Sequence, residues 1–236
     1  MILRKVHGNE LLLRLPPKEI KIIERKLERV PLPLHEVLNA SGKRIEYGYF
    51  LTGGLASILT VLRNGKIVEV GLTGADGFVG IPLVAGLKSS GGRVIVQVAG
   101  SALRIRAKEL DAVLGRCPVL RRRLYRYAQE VAAQAAQIAA CNRLHNSEQR
   151  LARWLLMSQD RMNGEAVSLR QEFLSHMLGM RRASVSVALG NLKRAGMVTY
   201  ARGRVEIVER TRLEKTACEC YAALNEQRDE WMKESK

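Results

Sequence analysis

The sequence predicts an α+β protein with three parts: an N-terminal β jelly roll, a long helix, and a C-terminal winged helix-turn-helix domain. Three observations support this prediction. Residues 31–107 consist of short apolar runs cut by glycines, residues 118–141 keep an unbroken helical spacing, and residues 168–204 contain two short helical patterns followed by a basic hairpin. We therefore place the three parts at residues 1–117, 118–141 and 147–236.

The overall composition limits the possible classes of protein. The 236 residues include 39 Lys and Arg but only 23 Asp and Glu, and the net charge of +16 favours a polyanionic partner. No run approaches the roughly 18 apolar residues of a membrane-spanning helix. The N-terminus also lacks the apolar core and cleavage site of a signal peptide. We therefore expect a cytoplasmic protein without a membrane partner.

The N-terminal part begins with a predicted helix and continues as strands. Pro16 and Pro17 suit a helix start, and apolar residues then repeat at helical spacing as far as Val30. Asn64-Gly65 stands between two β-rich runs, as in a type I′ hairpin. The runs RVIVQVAG and ALRIRA add further short strands. We expect an antiparallel barrel or jelly roll.

The predicted long helix carries a heptad pattern, with steps of four and three residues over three heptads and one polar member. Such a pattern is typical of a parallel coiled coil between two copies of a chain. Alanines on its flanks would allow the two backbones to approach closely. A helix packed on its own β domain is the alternative. The predicted dimer seam comprises Leu120, Leu124, Tyr127, Val131, Gln134 and Ile138, and the pattern continues to Cys141.

A break at CNRLHNSEQR separates this helix from the C-terminal part. Asn146 and Gln149 resemble a capping box, which would start a helix that runs to about Met162. The stretch FLSHMLGMRRASVSVALGNL then has the spacing of two short helices. Gly179 lies between them, where a tight turn needs a residue that tolerates positive φ.

The second of these helices begins at Arg181 and Arg182 and has two different faces. Its large apolar residues share one face, which leaves mostly small side chains on the other. A small outer face headed by arginines suits the major groove of DNA, about 12 Å wide. The residues expected inside are Val185, Ala188, Leu189 and Leu192, and those expected outside are Arg182, Ala183, Ser186, Val187 and Gly190.

The segment MVTYARGRVEIV, which follows, predicts two strands joined by a turn, with Arg202 and Arg204 at the tip. Arginines at such a position would reach backbone phosphates. Between Ser168 and Arg204 there are seven basic residues and one acidic residue, so the excess charge is local to this region. These features together predict a protein that binds double-stranded DNA.

With these features the chain resembles the Crp/Fnr family of bacterial transcription regulators over nearly its full length. The order of parts is the same, and CNRLHNSEQRLARWLL followed by SLRQEFLSHMLGMRRASVSVALGNLKRAGMV is the most family-like stretch. The resemblance implies a β domain of the cyclic-nucleotide-binding type. It also implies a homodimer that binds a two-fold symmetric operator and contacts RNA polymerase.

The resemblance assigns roles to two residues of the recognition helix and differs at two others. Arg182 matches the family arginine that commonly reads guanine, and Ser184 matches a hydroxyl that often contacts phosphate. Ala183 stands where the best-known members have Glu, and Val187 stands where they have Arg. The family's familiar operator is therefore not expected here, although Val187 could contact a thymine methyl group.

The effector region departs further from the family. Cyclic-AMP-binding members use a Gly-Glu pair and an Arg-Ser or Arg-Thr pair, but here Phe78 follows Gly77 and Val94 follows Arg93. Burying a phosphate needs several donors, so we expect no cyclic nucleotide, no other cofactor, and an effector that the sequence does not identify. The candidate effector pocket comprises Gly77, Phe78, Gly80 and Arg93.

The remaining chemistry of the sequence is sparse. No iron-sulfur or haem ligand pattern known from the family is present, because no cysteine precedes Cys117 and the barrel region holds a single histidine, His35. The cysteines show no zinc spacing, so we expect buried, reduced thiols, no bound metal and no enzymatic activity. The alternative function is a winged-helix module that binds a protein partner. The other cysteines are Cys141, Cys218 and Cys220.

Overall fold

The computed structural model describes residues 8–162, 167–168, 171–201 and 203–233. The chain divides into two compact units, one of residues 1–60 with 72–131 and the other of residues 61–71 with 132–236. The division therefore falls inside the long helix, and one β-hairpin loop belongs to the C-terminal unit. No helix in the described part of the chain is both long and apolar enough to cross a bilayer.

The elements up to the long helix form an antiparallel β domain with short helices. The sheet has the order β1-β6-β3-β4, with β2 also paired to β6 and β5 to β3. The elements are α1 (Glu10–Leu13), α2 (Pro17–Glu24), β1 (Glu28–Leu32), β2 (Val37–Asn39), β3 (Tyr47–Val61), β4 (Ile67–Thr73), β5 (Phe78–Val79), α3 (Ile81–Val84), β6 (Arg93–Arg106), α4 (Ala107–Arg116) and α5 (Pro118–Leu144).

Two local predictions need correction. The first helix ends at Glu24, and Val30 lies in β1, opposite Ala102 of β6; this pairing outweighs the helical spacing. The Asn64-Gly65 hairpin exists, but its turn is not type I′, because Gly65 (φ 79°) has positive φ and Asn64 does not. The Gly65 amide donates to the Leu62 carbonyl at 2.9 Å. This is the three-residue loop in which a type I turn is followed by a left-handed glycine.

The heptad stripe of α5 faces the protein's own interior. Leu120 and Leu124 are fully buried in the core of the N-terminal unit. The predicted placement of the dimer seam at these positions is therefore wrong, and the alternative of packing on the chain's own core holds. Heptad spacing and a core-facing stripe have nearly the same period, so spacing alone does not identify what covers the stripe. Of the other seam positions, Val131 is half-buried, and the buried ones are Tyr127, Gln134 and Ile138.

The elements after the long helix form a small helical domain with a three-stranded sheet of order β7-β9-β8. The predicted capping box is confirmed, since the Asn146 side chain accepts from the Gln149 amide and the Gln149 side chain accepts from the Asn146 amide. The elements are α6 (Ser147–Arg161), β7 (Val167–Ser168), α7 (Gln171–Met177), α8 (Arg182–Arg194), β8 (Val198–Ala201), β9 (Arg204–Ile207), α9 (Arg210–Thr216) and α10 (Cys220–Lys233).

Candidate nucleic-acid interface

A glycine turn connects α7 to α8. Gly179 has φ 56°, the left-handed conformation that L side chains rarely adopt. The Met180 amide donates to the Ser175 carbonyl at 3.0 Å, and the Gly179 amide donates to the His176 carbonyl at 3.2 Å. These two bonds form a Schellman motif, which ends α7 and redirects the chain. A Cβ added to Gly179 would lie 3.1 Å from a methyl group of Val68, so both conformation and space favour glycine.

The inner face of α8 is fully covered. The four residues expected to face inward are at most 2% exposed. They belong to the interior of the C-terminal unit, together with Leu174, Met177 and Leu178 of α7 and its turn, which are also buried. Because the inner face is apolar and closely covered, α8 is held in a single orientation about its axis.

The outer face of α8 is open and carries small side chains. Arg181, Arg182 and Ala183 are exposed, and Val187 is 63% exposed. Ser184 and Ser186 are half-buried, and the Ser186 hydroxyl donates to the Arg182 carbonyl at 3.1 Å. The division between inner and outer faces is the one that the helical spacing predicts. No long side chain after Arg182 obstructs this face within the first two turns, so a groove floor could approach the helix backbone.

The start of α8 is electropositive. Its N-cap residue, Arg181, makes no capping side-chain bond, and the first turn contains no acidic residue. The first amides of a helix point outward and carry partial positive charge. Two exposed arginines at the same end add full positive charge. A phosphate or a guanine edge would meet several donors there.

A network of side chains anchors α8 to the start of α6. Asn191 donates to a carboxylate oxygen of Glu148 at 2.8 Å, and Arg194 donates to the amide oxygen of Asn191. Ser184 and Val187 line one groove together with the first residues of α6. The outer face of α8 therefore belongs to a continuous surface that also includes the start of a second helix.

The predicted hairpin after α8 is present. Strands β8 and β9 pair antiparallel, with Ala201 opposite Arg204, and β7 adds a third strand beside β9. Arg204 is exposed at the first position of β9. Arg202, the other arginine predicted at the tip, lies outside the described residues. On the near side, the Lys193 ammonium group donates to the Tyr200 carbonyl at 3.4 Å, which adds positive charge between α8 and the hairpin.

The loop expected to hold an effector is closed by protein atoms at three positions. Gly77, Phe78 and Gly80 are all buried in the N-terminal unit. A Cβ added to Gly77 would lie 2.1 Å from the Tyr127 hydroxyl, so the tyrosine occupies the space above this glycine. The Phe78 ring packs on Phe50 with the ring centroids 4.6 Å apart. These residues fill the core and do not line an open cavity.

The fourth residue expected at that pocket lies elsewhere along the same sheet. Arg93 is the first residue of β6 and pairs with Leu59, whereas Phe78 pairs with Phe50, near the other end of β3. Strand register therefore separates Arg93 from the loop. The predicted effector set is not gathered into one site.

One group of residues was not anticipated from the sequence as a unit. Cys141, His145, Cys218 and Cys220 offer ligand atoms that all lie within 4.8 Å of one another, and we call them the thiol–imidazole cluster. A hydrogen bond from Cys218 lowers the pKa of Cys141 to about 5, and the charge of Arg153 contributes. The spacings C-x3-H and C-x-C were visible in the sequence. What joins them is a fold contact between residues 77 positions apart.

Comparison with known proteins supports the fold and identifies the C-terminal domain. Residues 149–216 match the Crp-like helix-turn-helix domain family. Among curated proteins, none matches the chain significantly. The matched range contains the turn at Gly179, the whole of α8 and the β8-β9 hairpin.

Several solved structures have a similar fold at low sequence identity. FixK2 from Bradyrhizobium japonicum aligns with a TM-score of 0.70 and 17% identity, covering 81% of this chain and 98% of that chain. The c-di-GMP responsive global regulator CLP from Xanthomonas campestris aligns at 0.66 and 14%, covering 81% and 99%. A CRP family transcriptional regulator from Thermus thermophilus aligns at 0.64 and 21%, covering 80% and 96%.

Proposed function

From a Crp-like helix-turn-helix domain at residues 149–216 and the fold of Crp/Fnr regulators, we propose that the chain is a sequence-specific DNA-binding transcription regulator. It acts as a homodimer on a two-fold symmetric operator, through binding and not through catalysis. The observation that carries the proposal is the outer face of α8, which is exposed, built from small side chains, and headed by Arg181 and Arg182.

Each part of the interface has a distinct role in this proposal. Arg182 donates to the O6 and N7 atoms of a guanine, the most common specific contact in the major groove. Val187 contacts a thymine methyl group, and Ser184 contacts phosphate. Arg204 contacts a backbone phosphate from the hairpin, and Arg202 is expected to do the same. Base reading therefore resides in α8, and the hairpin supplies affinity that does not depend on sequence.

The homodimer is proposed to form through the alanine face of α5, because the heptad stripe is buried within the chain. Ala132, Ala136 and Ala139 are exposed at steps of four and three residues, and Tyr125 is 51% exposed farther back on the helix. Small residues at this spacing let two helices approach closely along one line. In such a dimer the two copies of α8 would enter successive major grooves, with half-sites about 34–36 Å apart.

Two further parts of the proposal come from the family resemblance. Contact with RNA polymerase would convert DNA binding into a change in transcription. The effector is not identified, and we expect no cyclic nucleotide, because the Glu and Ser/Thr members of the family's phosphate cassette are replaced by Phe78 and Val94. Phe78 is also buried in the core, where it leaves no space for a ribose.

Selection of bound duplexes from a random pool by the full-length protein tests the proposal. We expect enrichment of a two-fold symmetric sequence. Binding of that sequence should fall steeply with salt, with a slope of about −0.9 per phosphate contact in log K against log salt. A pool without enrichment, or binding that does not change with salt, would instead favour a winged-helix module that binds a protein partner.

A further inference from the structure

The thiol–imidazole cluster is built from three short pieces of the C-terminal unit. Cys141 and His145 are four residues apart at the end of α5, so their side chains lie on the same side of the helix. The helical path continues to the histidine, whose amide donates to the Cys141 carbonyl at 3.1 Å. Cys218 precedes α10, and Cys220 is its first residue. The cluster therefore joins the end of one helix to the start of another.

The distances within the cluster are those of ligands around one small ion. The sulfurs of Cys141 and Cys218 are 3.4 Å apart, and the Cys220 sulfur is 3.6 Å from His145 Nδ1. With Zn–S bonds of about 2.3 Å and Zn–N bonds of about 2.0–2.1 Å, a tetrahedron has S–S edges of about 3.8 Å and S–N edges of about 3.6 Å. The four ligand atoms are close enough together to surround a single ion.

The groups around the cluster orient it for metal binding. His145 Nε2 is 2.9 Å from a carboxylate oxygen of Glu219, and this contact turns Nδ1 towards the sulfurs. A carboxylate on the second nitrogen of a ligating histidine is a common feature of zinc sites. Gln137 donates to the Cys220 sulfur at 3.1 Å, as expected for a sulfur that carries negative charge.

The electrostatics of the surroundings also require negative charge. Arg153 is 2% exposed and Arg150 is 9% exposed, and the Nε atoms of both have no hydrogen-bond partner among the described residues. Buried guanidinium groups need a compensating anion. One divalent ion with three thiolates and a neutral imidazole carries one net negative charge beside them. Neutral thiols would leave the arginines without that compensation.

We propose that Cys141, His145, Cys218 and Cys220 bind one Zn²⁺ ion in a closed, tetrahedral, structural site. All four positions are filled by protein, so no position is left for water or substrate. The ion would fix the start of α10 to the end of α5. Three thiolates and one imidazole select a soft or borderline ion over Mg²⁺ or Ca²⁺. The proposal does not depend on the proposed DNA binding.

Metal analysis of the full-length protein, purified under reducing conditions without chelators, is the primary test. We expect one zinc per chain. Cys218→Ser and Cys141→Ser should lose the ion, whereas Cys117→Ser should keep it. Cys117 is the matched control, because its thiol is equally buried (0% exposed) but lies in the N-terminal unit, outside the cluster.

Cobalt substitution of the wild-type protein checks the ligand set without depending on a variant that folds. Co²⁺ should produce the ligand-field and thiolate charge-transfer bands of a tetrahedral, sulfur-rich site, and added Zn²⁺ should abolish them. Wild-type protein that fails to bind zinc or cobalt stoichiometrically would overturn the proposal. So would a disulfide between Cys141 and Cys218 in the freshly purified protein, or zinc retained by both serine variants of the cluster.

Discussion

Trp154 of α6 donates a hydrogen bond of 2.7 Å from its indole nitrogen to a carboxylate oxygen of Glu69 in β4. Both side chains are buried, at 1% and 3% exposure. A buried carboxylate is stable only when it is hydrogen-bonded. This bond therefore ties the loop of residues 61–71 to the helical domain and explains why the loop belongs to the C-terminal unit.

A double-mutant cycle should measure this bond. Trp154→Phe leaves the Glu69 carboxylate without its donor and should cost about 1–3 kcal/mol of unfolding free energy. Glu69→Leu strands the indole N–H in the same way. The double variant should lose less than the sum of the two, with a coupling of about 0.5–3 kcal/mol in urea unfolding. Additive losses would show that the two side chains contribute independently.

Arg182→Ala should weaken binding to the selected operator by about 1–3 kcal/mol and blur the preference at one base pair per half-site. The reason is that a bidentate contact with guanine is lost, while the helix keeps its buried face. Arg29→Ala is the matched control, because Arg29 is an exposed arginine in β1 of the other unit. Fluorescence anisotropy on a panel of single-base operator variants gives both quantities. Undiminished selectivity in Arg182→Ala would mean that another residue reads the base.

Arg204→Ala should weaken binding to every duplex by a similar factor. The hairpin arginine is expected to neutralise a phosphate, and that contact carries no sequence information. Removing one phosphate contact should also reduce the salt slope by about 0.9. Titrations of operator and random duplex at several salt concentrations measure both effects. Arg202→Ala should behave in the same way, and a loss confined to the operator would contradict the phosphate role.

Ala136→Asp should convert the dimer into a folded monomer, since it places a charge on the exposed alanine face of α5. Sedimentation velocity measures the mass, and circular dichroism checks that the helices remain. Ala112→Asp, at an exposed position of α4, is the control and should remain dimeric. Leu124→Asp should instead destabilise the fold, because Leu124 is fully buried within the chain. An intact dimer in Ala136→Asp would place the interface on another surface.

The local features of the DNA-binding surface could be predicted from the sequence. The faces of α8 follow from a helical period of 3.6 residues, because large apolar side chains must be buried together. The turn at Gly179 and the cap at Asn146 depend on residues within one turn of each other. Such interactions depend on neighbours in the chain, so the residue types alone identify them.

Other features depended on contacts between distant parts of the chain. The spacing of α5 indicated a covered stripe, but only the fold shows that the chain's own core covers Leu124. Val30 became a strand residue because β6 was there to pair with it.

The sequence by itself determined which residues of α8 point outward and where the two helices turn, because those interactions span only a few residues. The tertiary structure alone decided which surface of α5 remains exposed and which thiols meet. Cys141 and Cys218 are 77 positions apart, and the contact between them forms only when two elements far apart in the chain pack together. Hydrophobic burial that drives such packing has no preferred direction along the sequence. Local spacing therefore cannot specify which distant residues it brings into contact.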